Sequence, residues 1–174
     1  MIHLYTGDGK GKTTASVGLA VRAAGSGMGV LFTQFMKGND SGELPVLEKI
    51  PQVRICRSRK NFGFYRTLTE ESKKELAAEH DYILDEILKA VEEERCGLVI
   101  LDEVTYPVNW KLLSEDKLHR ILEAGKGEAG TVEIVLTGRN PASFLVDAAD
   151  YVTEMRAVRH PYEKGVMARK GIEY

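Results

Sequence analysis

Residues Tyr5 to Ala15 read Y-T-G-D-G-K-G-K-T-T-A, and the reading of the whole fold starts there. The alternate glycines Gly7, Gly9 and Gly11 let the backbone curl so that successive N–H groups converge, forming a nest for an anion. Just upstream, Ile2 to Thr6 is a short apolar run of the kind that forms a strand. Just downstream, Val17, Ala20, Val21 and Ala24 follow the i, i+3, i+4, i+7 spacing of a helix, which Gly25 and Gly27 end. Strand, glycine loop and helix stand in the order of a phosphate loop, and the helix adds its positive N-terminal end to the nest. Lys12 supplies a mobile cation, and the Thr13 hydroxyl can ligate a magnesium ion that also touches phosphate. The spelling departs from the standard pattern in one respect. That pattern asks for glycine where Thr6 stands, and the nearest one is Gly7, so this loop is shorter and tighter.

Beyond the loop, strand and helix patterns alternate. Val30 to Met36 and Val53 to Cys56 read as strands, and Thr69 caps a helix that runs to about Arg95, with Glu70 and Glu71 in its first turn. Leu98 to Leu101 is fully apolar, as in a strand covered on both faces. Ser114 caps a further helix, Val132 to Thr137 is a strand, Asn140-Pro141 opens a short helix, and Tyr151 to Arg156 is the last strand. This alternation predicts an α/β fold of three layers: a mostly parallel sheet with helices on both faces. No repeat or linker divides the chain, so residues 1–174 are read as one domain. Ligands of such sheets sit at the carboxyl ends of the strands, where the glycine loop lies.

Bulk composition narrows the function classes. A formal net charge of -2 lacks the basic footprint of a nucleic-acid binder. Cys56 and Cys96 form no C-x-x-C pair and have no second pair for zinc, so they read as reduced thiols of a cytoplasmic protein. No apolar run approaches the ~20 residues of a membrane span, and M-I-H-L-Y leads straight into the loop without a signal peptide.

Three further segments carry chemistry. Leu98-Val-Ile-Leu-Asp102-Glu103 delivers two carboxylates at a strand end, where the partner acid of a phosphate loop holds magnesium. Neighbouring residues on a strand point to opposite sides, so one of Asp102 and Glu103 faces the metal and the other orients something else. Lys60-Asn-Phe62-Gly63-Phe64-Tyr65-Arg66 places three aromatic rings in a cationic loop, which either binds a ligand or packs on the core. Arg139, in L-T-G-R-N, stands at another strand end and either reaches phosphate with its forked donors or forms a structural ion pair. His3, His80, His119 and His160 share no metal-ligand spacing.

Together these segments resemble the ATP:corrinoid adenosyltransferases of the bacterial cobalamin pathway. The likeness is carried by T-G-D-G-K-G-K-T-T-A (6–15), Q-F-M-K-G (34–38), L-D-E-V-T-Y (101–106), T-G-R (137–139) and the long ending at 148–174. It implies a RecA-like phosphate-loop fold, a homodimer, and magnesium-dependent transfer of the 5′-deoxyadenosyl group of ATP to Co(I), with triphosphate leaving. It also implies that ATP lies reversed along the loop, presenting C5′ to the cobalt. By motif, Gly7, Asp8, Gly9, Lys10, Gly11, Lys12, Thr13 and Thr14 would hold ATP together with Arg139. Thr13, Glu103 and Asp102 would hold magnesium, and Lys12 and Glu103 would be catalytic. The family's corrin-contacting phenylalanine and tryptophan, two apart in a loop, correspond to Phe62 and Phe64; tryptophan is replaced here, and Gly63-Phe64 offers a second alignment. Members with a helix before strand one fold it over the site, whereas this sequence starts at the strand. A flavoprotein electron donor is expected by the same resemblance.

Co(I) is a strong nucleophile, so such a protein supplies neither nucleophile nor base. Its tasks are alignment and stabilisation of the departing triphosphate. Apolar rings under the corrin would displace its axial base and ease reduction of Co(II). Two other classes compete on the sequence alone: a phosphate-loop kinase or ATPase, and a non-enzymatic ATP-binding regulator. Asp8, beside a triphosphate, is expected to turn toward a hydroxyl or toward the loop's own amides.

Overall fold

The computed structural model describes residues 1–37, 41–58, 60–63, 65–126 and 132–173. Among them, six strands form one sheet: β1 (Ile2–Thr6), β2 (Val30–Gln34), β3 (Val53–Arg57), β4 (Leu98–Asp102), β5 (Glu133–Thr137) and β6 (Tyr151–Glu154). The order is β3-β2-β4-β5-β1-β6, and every pairing is parallel. The helices are α1 (Lys12–Gly25), α2 (Leu44–Leu47), α3 (Glu70–Glu92), α4 (Thr105–Asn109), α5 (Glu115–Gly125) and α6 (Ser143–Ala148). This is the three-layer α/β class that the sequence predicts.

The apolar strands divide their side chains between two cores, because consecutive residues of a strand face opposite ways. Leu31, Val99, Leu101, Ile134 and Leu136 pack with α3 and α5, among them Ile83, Ile87, Leu118 and Ile121. Phe32, Leu98, Ile100 and Val135 pack on the other face, against Ala20, Ala23 and Ala24 of α1 and Leu44 and Leu47 of α2. Alanines on α1 let the glycine-loop helix lie close to the sheet, which fixes the direction of its N-terminus. Each fully buried Leu, Ile or Phe stabilises the fold by about 1.5–3 kcal/mol.

The short helix expected to open at Asn140-Pro141 starts at Ser143, and three elements end earlier than the sequence predicts, each for a backbone reason. The second strand stops at Gln34 because Met36 adopts φ 58, in the left-handed region that no strand contains. Helix α3 stops at Glu92, not near Arg95. Glu94 takes φ 51 and the Arg95 amide bonds back to the Ala90 carbonyl, a Schellman-type ending built without glycine. The last strand stops at Glu154, since Met155 and Arg156 turn onto the glycine loop. Short helices α2 and α4 have no periodicity long enough to read from the sequence.

The strands end level. Gln34 is in register with Asp102, Tyr5 with Thr137, and Thr6 with Glu154. One strand, β5, stands between β1, which feeds the glycine loop, and β4, which ends in the acid pair. Among the described residues, no helix is long and apolar enough to cross a membrane. No disulfide joins Cys56 and Cys96.

Candidate active site

The glycine loop is shaped from outside, by the chain leaving β6. The Gly9 amide donates to the Met155 carbonyl at 2.7 Å, and the Met155 amide donates to the Thr6 carbonyl at 2.8 Å. A Cβ on Gly9 would stand 2.7 Å from Met155 O and 2.8 Å from the Arg156 carbonyl carbon, and one on Gly7 (φ 101) would collide with the same Met155 carbonyl. Both glycines are therefore required by backbone meeting backbone, and the Gly9 N–H is already engaged rather than aimed at an anion. Asp8 turns chiefly toward the chain beyond β6, with a lesser bond from its own loop amide. Its Oδ1 accepts the Ala157 amide at 3.0 Å, and this bond holds the carboxyl below its ordinary range.

Lys12, the first residue of α1, folds back over the loop. Its ammonium donates to the carbonyls of Gly7 and Gly9, both at 2.8 Å, and the residue is only 7% exposed. Burial, reinforced by the Arg139 charge, lowers its pKa below that of an ordinary lysine. A cation in this setting is poorly hydrated and interacts strongly with an arriving anion. Arg139 donates to the Asp8 carbonyl at 3.2 Å, so it braces the loop backbone from the end of β5. Lys10 and Thr14 are exposed at the rim.

The two acids play different parts. Asp102 is fully buried, and both of its oxygens have donors. Thr13 and Thr137 hydroxyls donate to Oδ1 at 2.9 and 2.8 Å, while Lys37 donates to Oδ2 at 2.7 Å, with Gln34 Nε2 at 3.5 Å. Glu103 breaks out of the strand with φ 63, a conformation that costs about 1–3 kcal/mol and is typical of functional sites. Its amide donates to Thr137 Oγ1 at 2.9 Å, and its Oε2 is buried without a hydrogen-bond partner among the described residues. Burial first, and then the Asp102 charge, push the Glu103 pKa up; Lys37, Lys12 and Arg139 oppose that shift. Three cations and two acids thus share one site. Gly138 (φ 144) closes it from below, because a Cβ there would collide with the Thr105 hydroxyl, which itself donates to the Arg139 carbonyl at 2.8 Å.

The aromatic loop reaches the same end of the sheet. Phe62 is half-buried and lines a small pocket with Met36, Lys37, Ser58 and Leu76. Phe64 lies outside the described residues. The loop is tied to α3 by Lys60–Glu75 (3.0 Å), which is exposed, and by Ser58–Glu79 (3.2 Å), which is partly buried. Tyr65 stacks face to face on Trp110, with centroids 4.0 Å apart and planes 7° off parallel, and Tyr106 tilts against the same indole at 5.3 Å. Since α4 follows directly after Glu103-Val104, this stack couples the loop to the acid pair.

The structure therefore brings together Gly7 to Thr13, Asp102, Glu103, Arg139 and Phe62. Four contributors escape the sequence reading: Lys37, Thr137, the Met155–Ala157 clamp and Trp110. Thr137 and Lys37 lie in motifs that are visible in the sequence, but only the strand register shows which acid they meet. Among the described residues, no three His, Cys, Asp or Glu side chains converge as a protein-only metal cage.

Comparison with known proteins follows this geometry. The family model for ATP:corrinoid adenosyltransferase BtuR/CobO/CobP matches residues 1–174. A corrinoid adenosyltransferase from a Sinorhizobium species is 31% identical over 176 residues, covering 100% of this chain and 80% of that protein. The Corrinoid adenosyltransferase CobA of Salmonella typhimurium LT2 is 32% identical over 176 residues, covering 100% and 85%. That of Escherichia coli K12 is 32% identical over 177 residues, with the same coverage.

Proposed function

The chain belongs to the ATP:corrinoid adenosyltransferases, and from that membership we propose how its own residues carry out the reaction. The enzyme transfers the 5′-deoxyadenosyl group of ATP to the Co(I) of a reduced corrinoid. The cobalt lone pair forms the bond to C5′, the C5′–O bond breaks, and its electron pair leaves on triphosphate. No proton has to move, so the site is organised around charge.

One observation carries the residue assignment: the buried, unpartnered Glu103 Oε2 beside the Thr13–Asp102 hydrogen bond. Magnesium keeps several waters and takes one or two carboxylates together with substrate phosphates, and this donor set fits it. Glu103 Oε2 and the Thr13 hydroxyl would hold the ion, while Asp102, whose oxygens are already engaged, orients Thr13. When bound, magnesium draws off charge from phosphate oxygens. Lys12 stabilises the triphosphate at the glycine loop, with the amides of Lys10 to Thr13. Phe62 offers an apolar ring to the corrin, and the Tyr65–Trp110 stack holds its loop in place.

Homodimer assembly, a flavoprotein electron donor and a cytoplasmic setting belong to the same reading. The open outer edge of β6, where Tyr151 and Val152 are 51% and 49% exposed, supports association. The decisive experiment incubates the protein with MgATP and cob(I)alamin and identifies the nucleotide products. Triphosphate is expected. ADP would mean attack at the γ-phosphate, and intact ATP would mean a binding protein; either result overturns the assignment.

A further inference from the structure

Lys37 is the charged member of Q-F-M-K-G (34–38), and the mechanism above gives it no task. Its ammonium stands 2.7 Å from Asp102 Oδ2, 3.5 Å from Thr13 Oγ1 and 3.9 Å from Glu43 Oε1. It therefore lies beside the second residue of α1, at the anion-binding end of that helix. The side chain is 28% exposed, whereas Asp102 is fully buried, so the amine can be reached from solvent and its carboxylate cannot.

The backbone around Lys37 is pinned while the amine is not. Left-handed Met36 turns the chain away from β2, and Arg57 donates to the Lys37 carbonyl at 2.9 Å. From this fixed point the four-carbon stem can swing. Asp102 does not depend on Lys37 alone, since two hydroxyls donate to its other oxygen. Lys37 also lines the Phe62 pocket, so its amine stands between the triphosphate site and the aromatic loop.

We propose that Lys37 is a triphosphate-binding residue whose ammonium passes from Asp102 Oδ2 to polyphosphate oxygens, meeting the substrate from the Thr13 side as Lys12 meets it from the glycine loop. This rests on the adenosyl-transfer reading. The leaving triphosphate keeps the electron pair of the broken C–O bond and gains a full negative charge, and a cation on a flexible stem can follow that charge as it moves. A purely structural lysine would serve only to neutralise Asp102.

The test is calorimetric titration of inorganic triphosphate, with EDTA present, into wild type, Lys37→Met, Asp102→Asn and the double variant. Lys37→Met is expected to weaken binding on the order of ten- to a hundredfold, the range for a hydrogen bond to a charged group. Asp102→Asn, which releases the amine, is expected to bind at least as tightly as wild type, and the double variant to fall to the Lys37→Met level. The double variant leaves no uncompensated buried carboxylate. If Lys37→Met alone fails to fold, the comparison of Asp102→Asn with the double variant decides. Equal affinity in those two, or wild type that binds no triphosphate, overturns the Lys37 assignment and leaves adenosyl transfer standing; adenosyl transfer falls only if the MgATP and cob(I)alamin assay yields no triphosphate.

Discussion

The glycine loop and the aromatic loop meet at one end of the sheet, yet they are held in opposite ways. The glycine loop is fixed by backbone: Met155 to Ala157 press on Gly7, Asp8 and Gly9, and Lys12 is folded into its centre. The aromatic loop is held mainly by side chains, among them the exposed Lys60–Glu75 pair, the partly buried Ser58–Glu79 hydrogen bond and the Tyr65–Trp110 stack. A triphosphate is a dense charge of invariant shape, and a prebuilt electrostatic cradle suits it. In the proposed reading a corrin, broad and with apolar ring faces, has to enter and leave, which suits a loop held by side chains rather than by backbone.

The strongest way to break this contrast is Lys12→Ala. It removes the centre of the prebuilt half, and kcat measured with pre-reduced cob(I)alamin should fall at least about 10²–10³-fold, the usual cost of one lost charge-stabilising donor. Near-normal turnover would mean that the cradle is not where the reaction is stabilised. Next in size is Gly9→Ala, which sets a methyl group against Met155 and Arg156. We expect a loss of about 1–3 kcal/mol in thermal unfolding, together with weakened ATP binding; an unchanged melting curve would show that the clamp yields freely.

Trp110→Ala tests the other half. Losing a stacked pair worth about 0.5–1.5 kcal/mol should raise the KM for corrinoid roughly two- to tenfold and leave ATP affinity as it was. Because Trp110 is the protein's single tryptophan, wild-type fluorescence reports the stack directly and should change when corrinoid binds. A matching loss of ATP affinity would show that the two halves are not separable.

A fourth test sharpens the comparison at the base of the aromatic loop. His80 on α3 is buried, with Nδ1 donating to the Leu112 carbonyl at 2.9 Å, and burial lowers its pKa below the ordinary histidine value. The unfolded chain therefore takes up this proton first, so stability is present above the ordinary histidine pKa and is lost as pH falls through the lowered one. His80→Asn keeps a donor for Leu112 and removes the titration, so its unfolding temperature should fall less steeply between about pH 7 and 5. Parallel curves would assign the acid limb to other groups. The smallest effect is expected from Lys60→Ala, no more than about twofold in corrinoid KM, because an exposed ion pair contributes little.

These contrasts also explain what the sequence discloses. The strands β2 and β4, buried at every position, and the glycine loop are written in local patterns: apolar runs, and three glycines before G-K-T. The caps Thr69 and Ser114 are equally local, and both accept the hydrogen bond expected of them. The division of labour between Asp102 and Glu103 is not local. Alternation along a strand would point them to opposite sides, but Glu103 leaves the strand altogether, and Asp102 draws its four donors from α1, β2, β5 and the residue following Met36. Likewise, Gly7 and Gly9 read as anion-nest glycines, whereas their tightest constraint is the carbonyl of a residue from the far end of the chain.

That constraint has a consequence for how the enzyme is made. The Asp8–Ala157 bond joins residues 149 apart in sequence. A segment that has formed only β1, the loop and α1 therefore holds the sequence of the cradle without its shape. The central strands and much of the core can assemble without β6, but the loop is set only once the chain beyond β6 has folded against it.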